Sequence, residues 1–194
     1  MYEYISGKLV YANPTFCVID CYNIGYKMQI SVNTYAAVKD LQEVKLFVHH
    51  VVREDEEMLF GFYEENERTM FRNLITVSGV GVNTARIILS SLTVSELYAT
   101  ITEGNYQRLK SVKGIGEKTS QRIVVDLKDK LAKIDFNLDK NLTWNNNNVE
   151  EALSALSMLG FPKPAVEKAI RKIIAAMGDN MSVEELVKET LKIM

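Results

Sequence analysis

The sequence predicts an α+β chain in several parts: a small barrel of five strands, an all-helical section, a polar linker and a compact bundle of three helices. Three observations carry this prediction. The hydrophobic period is two as far as Phe62 and about 3.6 after Glu64-Glu65. Within the helical section the pattern repeats at an offset of 35 residues, and between Phe136 and Asn148 periodicity is lost before it returns. The expected boundaries are 1–64, 65–135, 136–147 and 148–194.

Segments 4–11, 16–20, 25–30, 44–52 and 58–62 are rich in β-branched and aromatic residues and read as strands. Asn13-Pro14 and Asn23-Ile24-Gly25 supply turn chemistry, and a short helical stretch near Thr34 to Leu41 separates the third strand from the fourth. Five short strands with that one helix fit a Greek-key barrel of the OB type. Helical patterns follow over 65–76, 81–92, 94–102, 106–112 and 117–131, with Thr93 and Glu96 forming a capping box. The stretch from Phe136 ends in four consecutive Asn and reads as a flexible linker. Beyond it, Asn148 with Glu151 and Ser182 with Glu185 are further capping boxes, opening helices over 149–159 and 183–193, with a third over 164–177 between them.

Composition narrows the function classes. With 194 residues, 47% hydrophobic, ten Gly and two Cys, the chain is neither collagenous, nor wholly disordered, nor a disulfide scaffold. No segment approaches the ~18 apolar residues of a spanning helix, and no basic region followed by an apolar one opens the chain, so a cytoplasmic protein without membrane association is expected. Cys17 and Cys21 sit four apart in one strand and cannot form a normal disulfide there. His49 and His50 are adjacent on a strand and point to opposite faces, so neither a metal site nor a cofactor is expected.

The net charge of −2 conceals an asymmetry. Residues 1–65 carry 5 basic and 10 acidic side chains, residues 66–133 carry 11 and 6, and residues 134–194 carry 7 and 9. A basic middle between acidic flanks points to a polyanionic partner for that section alone.

The repeat lies in this section. Leu74, Val77, Gly79, Val80, Gly81, Thr84, Ile88 and Leu92 align with Leu109, Val112, Gly114, Ile115, Gly116, Thr119, Ile123 and Leu127. Each copy reads helix, Gly-x-Gly turn, helix. The apolar residue between the glycines tucks inward, and backbone N–H groups at the start of the second helix are left facing out. Such a helix start favours an anion. The pattern resembles the helix-hairpin-helix motif, which contacts the DNA backbone without reading sequence. Candidate phosphate-binding residues are therefore Gly79, Val80, Gly81, Asn83 and Thr84 in the first copy, and Gly114, Ile115, Gly116, Lys118, Thr119 and Arg122 in the second. Arg86, Arg108, Lys110, Lys113, Lys128 and Lys130 add salt-dependent attraction.

Two enzymatic readings of the section are weaker. Gly114 to Thr119 looks briefly like a P-loop, but Glu117 stands where Gly should precede the Lys and no strand leads in. A helix-hairpin-helix glycosylase or nuclease acting on duplex DNA would need a catalytic acid, for which Asp126 is the candidate, yet it sits mid-helix with a solvated face as its plainer role.

Between the last two strands, Arg53 is followed by Glu54, Asp55, Glu56 and Glu57, four carboxylates at an expected hairpin tip. Alone this reads as a charged turn. Beside a DNA-binding section it would repel phosphates and steer strands.

Taken together, Arg53-Glu54-Asp55, Leu59 to Phe62 with Glu67-Arg68-Thr69, the two Gly-x-Gly turns with Lys118-Thr119, and Met158-Leu159-Gly160-Phe161 resemble the RuvA family, the Holliday-junction-binding subunit of the bacterial branch-migration machinery, over the whole chain in order. The resemblance implies a non-catalytic homotetramer, alone or as two face-to-face tetramers, that holds an open four-way junction. It implies phosphate contacts at the hairpins, an acidic pin of Arg53, Glu54, Asp55 and Glu56 at the centre, and a UBA-like third domain that docks the hexameric ATPase RuvB, with RuvC resolving the junction. Leu159 and Phe161 are the candidate docking pair, with core packing of the bundle as the plainer role. The sequence departs from the family in carrying Asn83 and Glu117 where Lys is frequent, and in the extra acids Glu56 and Glu57. Each missing cation predicts weaker junction binding.

Overall fold

The structure is a computed structural model that describes residues 2–132, 144–177 and 181–193. It separates into two compact units, Met1–Leu138 and Asp139–Met194.

The first unit opens with β1 (Tyr4–Ala12), β2 (Phe16–Cys21), β3 (Ile24–Gln29), α1 (Val32–Val38), β4 (Glu43–Val52) and β5 (Glu57–Phe62). The strands close into a barrel in the order β1-β2-β3-β5-β4, with β3 and β5 parallel and the other pairs antiparallel. Period-two alternation sends Cys17 and Ile19 of β2 and Val44, Leu46 and Val48 of β4 inward. Burial pushes the Cys17 thiol up to about 12, so it behaves as a small apolar core group. At the β1–β2 turn, Asn13 Oδ1 accepts from the N–H groups of Thr15 and Phe16 at 2.8 and 2.9 Å. The β2–β3 turn falls one residue earlier than the sequence suggests, on Tyr22 and Asn23, both left-handed at φ 52° and 66°. Such a pair carries the twist that hairpin strands need. Gly7 is required by packing, because a Cβ there would stand 2.1 Å from the Asp20 carbonyl oxygen across β1 and β2.

The same unit continues with α2 (Glu65–Leu74), α3 (Val82–Ser91), α4 (Val94–Thr102), α5 (Tyr106–Lys110) and α6 (Glu117–Leu131). The capping box of Thr93 and Glu96 is formed. Barrel and helices share apolar packing: Phe60 and Phe62 of β5 belong to one buried cluster with Met70, Phe71 and Leu74 of α2. The Phe71 ring lies 5.1 and 4.9 Å from theirs.

Two adjacent charged residues of α2 are buried at this joint, Glu67 and Arg68. Glu67 accepts hydrogen bonds from Ser31 Oγ, the N-cap of α1, and from Thr34 Oγ1. Arg68 donates to the carbonyls of Glu3 and Val48 at 2.8 and 3.2 Å and to the carboxylates of Glu3 and Glu65. Burial opposes the Arg68 charge, but those two carboxylates more than offset it. On the other side of α1, Asn33 Nδ2 donates to the carbonyls of Leu89 and Leu92 and so holds the end of α3.

The second unit comprises α7 (Trp144–Met158), α8 (Lys163–Met177) and α9 (Val183–Ile193) around Ala152, Leu156, Val166, Ile170, Ile173, Met181 and Leu186. The Ser182–Glu185 capping box is formed. The expected box at Asn148 is not. Helix α7 begins at Trp144, which places Asn148 inside it, and its Nδ2 donates to the Met181 carbonyl at 3.0 Å. A run of Asn shows no apolar period, so the sequence put this helix start too late. Of the expected linker, residues 136–143 lie outside the described residues.

Burial raises the Glu67 carboxyl above its ordinary value of 4.5, against the pull of its two hydroxyl donors. A carboxyl raised in the folded state adds stability in acid, and this is lost as pH rises from the unfolded value through the folded one. The advantage of the wild-type protein over Glu67→Gln should therefore be largest at and below the ordinary carboxylate range and shrink as pH rises above it, as read from urea midpoints; a constant difference would contradict it.

Candidate nucleic-acid interface

The two repeat copies have the same backbone geometry. Gly79 and Gly114 both sit at φ +89°, in the left-handed region that glycine tolerates. Gly81 and Gly116 are the N-caps of α3 and α6, at φ −83°, ψ 170° and φ −82°, ψ 166°. Between them Val80 and Ile115 are buried, and their N–H groups donate to Val77 and Val112 at 3.0 and 3.1 Å. The first helical bond is the same in both copies: Ala85 N–H to the Gly81 carbonyl and Ser120 N–H to the Gly116 carbonyl, each 2.9 Å.

A glycine cap offers no side-chain acceptor, so the N–H groups of the first turn have no intrahelical partner. They belong to Val82, Asn83 and Thr84 in the first copy and to Glu117, Lys118 and Thr119 in the second. Apart from the adjoining residues of the chain, no protein atom lies within 4 Å of where a Cβ would stand at Gly81 or Gly116. Packing within the chain therefore does not demand glycine at these two positions. What the arrangement offers is two open, donor-lined helix starts suited to an anion.

The cations expected around the repeats are distributed unevenly. Arg86 Nη1 donates to the Thr15 carbonyl in the β1–β2 turn at 3.0 Å, and burial lowers its pKa, so it ties α3 to the barrel. Arg108 pairs with Glu96 at 2.5 Å and Lys110 with Glu117 at 2.9 Å. Arg122 Nη1 reaches the Ser78 carbonyl of the first hairpin at 3.3 Å, and Lys130 Nζ reaches Thr76 Oγ1 at 3.3 Å. Lys113 and Lys118 are exposed. Sequence reasoning missed these pairings because each joins residues far apart in the chain or on successive elements. Asp126 lies exposed on α6, as expected of a solvated helix face.

At the β4–β5 hairpin, Arg53, Glu54, Asp55 and Glu56 are all exposed, and the Arg53 N–H closes the turn on the Glu56 carbonyl at 2.8 Å. Glu57 is not part of the tip: it pairs with Val52 as the first residue of β5. Its Oε1 lies 2.6 Å from His50 Nε2, without hydrogen-bond geometry. His49 and His50 face different neighbours, Phe71 and Tyr2. Among the described residues no cluster of His, Cys, Asp or Glu is arranged to hold a metal, and no helix is long and apolar enough to cross a membrane.

In the second unit, α7 ends in a Schellman turn. Gly160 stands at φ +95°, its N–H donates to the Ser157 carbonyl, and the Phe161 N–H donates to the Leu156 carbonyl. This turn separates the two residues singled out by sequence. Phe161 folds back against the bundle core, whereas Leu159 is 64% exposed beside Met158 at 87%.

Residues 1–61 match the family described as RuvA N terminal domain, residues 71–129 the SAM-like helix-hairpin-helix tandem, and residues 147–194 the RuvA C-terminal domain. A protein of Flavobacterium psychrophilum named Holliday junction branch migration complex subunit RuvA is 44% identical over 193 residues, 99% of each chain. Relatives of the same name from Azobacteroides pseudotrichonymphae and Porphyromonas gingivalis are 39% and 41% identical over the full length of both chains.

The glycines divide into two kinds. Gly79→Ala and Gly114→Ala force a side chain into the left-handed region and should each cost about 1 kcal/mol or more in denaturant unfolding. Gly81→Ala and Gly116→Ala meet no atom and no forbidden angle, and should stay within about 0.5 kcal/mol of wild type.

Proposed function

The chain belongs to the RuvA family, and from that premise we propose that it is the non-catalytic, structure-specific DNA-binding subunit of a branch-migration complex, holding Holliday junctions open during recombination and repair. The observation that carries this reading is the pair of helix starts with one geometry, each leaving free N–H groups and unfilled space at its capping glycine. Two such clamps on one rigid unit suit the regular phosphate spacing of a duplex arm. They carry no side-chain set arranged to read bases, so binding follows shape and charge.

In this reading residues 1–64 carry the pin, 65–135 grip DNA, and 148–194 form the docking module joined by 136–147. Gly79, Val80, Gly81, Asn83, Thr84, Gly114, Ile115, Gly116, Lys118, Thr119 and Arg122 frame the phosphate contacts. The pin residues Arg53, Glu54, Asp55 and Glu56 repel phosphates where strands cross between arms, which requires several copies around one centre and so a homotetramer. Exposed Leu159 is the docking residue for a RuvB hexamer that supplies ATP hydrolysis, and Phe161 supports it from the core. RuvC acts on the same junction, and the complex works in the cytoplasm.

Titration of the purified protein against a four-way junction and a linear duplex of the same arm sequences, at two salt concentrations, should give preferential junction binding without cleavage. Equal affinity for both would reduce the protein to a general duplex binder. The double change Asn83→Lys with Glu117→Lys adds two cations and frees Lys110 from Glu117, so it should strengthen junction binding and steepen its salt dependence by about two to three units of slope. No gain at any salt concentration would count against the phosphate role of these positions.

A further inference from the structure

The hairpins share a backbone but not a charge. From Ile75 to Ala85 the first contains no Lys or Arg, whereas the matching stretch of the second carries Lys110, which is paired with Glu117, and Lys113 and Lys118, unpaired among the described residues and aligned with Ser78 and Asn83. An uncharged helix start holds a phosphate less firmly than one with a cation beside it, because the charge supplies the counterion-release part of the affinity. By sequence, the first clamp is the weaker one.

The fold brings two cations to it from elsewhere. Arg122 and Lys130 project from α6, the second helix of the other hairpin, onto the loop of the first. Arg122 meets the Ser78 carbonyl next to Gly79, and Lys130 meets Thr76 Oγ1. The contact to Ser78 occupies one N–H of a guanidinium that has five, and Arg122 is exposed, as are Ser78, Gly79 and Gly81, so donors remain for a phosphate at that hairpin. Arg122 stands about one turn beyond Lys118 and Thr119 on α6, yet its guanidinium is engaged at the Ser78 carbonyl of the first hairpin, and that contact is what assigns it there.

We infer that Arg122 and Lys130 are the phosphate cations of the first hairpin, supplied across the repeat, and that the second hairpin relies on its own Lys113 and Lys118. This rests on the reading of the hairpins as DNA clamps and deepens it. It assigns Arg122 to the copy opposite the one that contains it, and gives Lys130 a DNA role. It also gives α6 two tasks: its N-terminus binds one phosphate, and its side chains complete the site for another.

A double-mutant cycle on the full-length protein with a four-way junction tests the assignment. Arg122→Gln and Lys130→Gln should each lower affinity and flatten the salt dependence by about one unit of slope, while Arg122→Lys keeps most of the slope. Arg122→Gln combined with Gly81→Ala should depart from additivity by about threefold or more in Kd, and combined with Gly116→Ala it should add within about twofold. Additivity with Gly81→Ala and coupling to Gly116→Ala would overturn the inference and leave the clamp reading intact. An unchanged slope in Arg122→Gln with lower thermal stability would reduce the contact to a structural tie, and no loss of affinity in Gly81→Ala would remove the first clamp and the inference with it. Failure of the wild-type protein to bind a junction at all would instead sink the underlying reading.

Discussion

Two opposite charges, adjacent in sequence and both buried, set how the helices stand on the barrel. Neighbouring residues on a helix point about 100° apart, so Glu67 and Arg68 cannot serve one partner. Glu67 reaches the start of α1, while Arg68 reaches Glu3 just before β1, Val48 of β4 and the first turn of its own helix. A buried charge left unpaired costs several kcal/mol, and only one placement of α2 satisfies both at once. The apolar contact of Phe71 with Phe60 and Phe62 would tolerate some sliding, and the polar joint would not. Since α2 leads directly into the first hairpin, the direction in which that hairpin faces is inherited from this pair.

Local rules made most of the fold legible. Period two and β-branched or aromatic content located five strands, and the 35-residue repeat was visible because each copy carries a left-handed turn that calls for glycine, at Gly79 and Gly114, and a second glycine, Gly81 or Gly116, that leaves the helix start open. What the sequence hid depends on distance along the chain. Nothing near Arg86 reveals that it binds Thr15, and nothing near Asn148 reveals Met181. Phe161 and Leu159 look alike as a pair of apolar residues, and only the left-handed Gly160 between them sends one to the core and the other to the surface.

The same distinction tempers the charge argument. Residues 66–133 hold an excess of cations, yet Arg68, Arg86, Arg108 and Lys110 are engaged with partners inside the protein. Segment charge therefore marks where a polyanion is attracted at long range, while the contacts that grip it come from a smaller group. The exposed pin adds the opposite field on the barrel side.

The barrel itself has an unequal wall. Its antiparallel pairs run over several residues, but β3 and β5 meet in parallel through a single register pair, Gln29 and Phe60. Strand β5 also gives Phe60 and Phe62 to the helical core, so the helices brace the barrel at its thinnest seam. Cutting the chain after residue 64 would separate two tasks but not two folding units. The released barrel would keep its curl and lose the clasp that keeps it shut, which makes pin and clamps products of one cooperative transition.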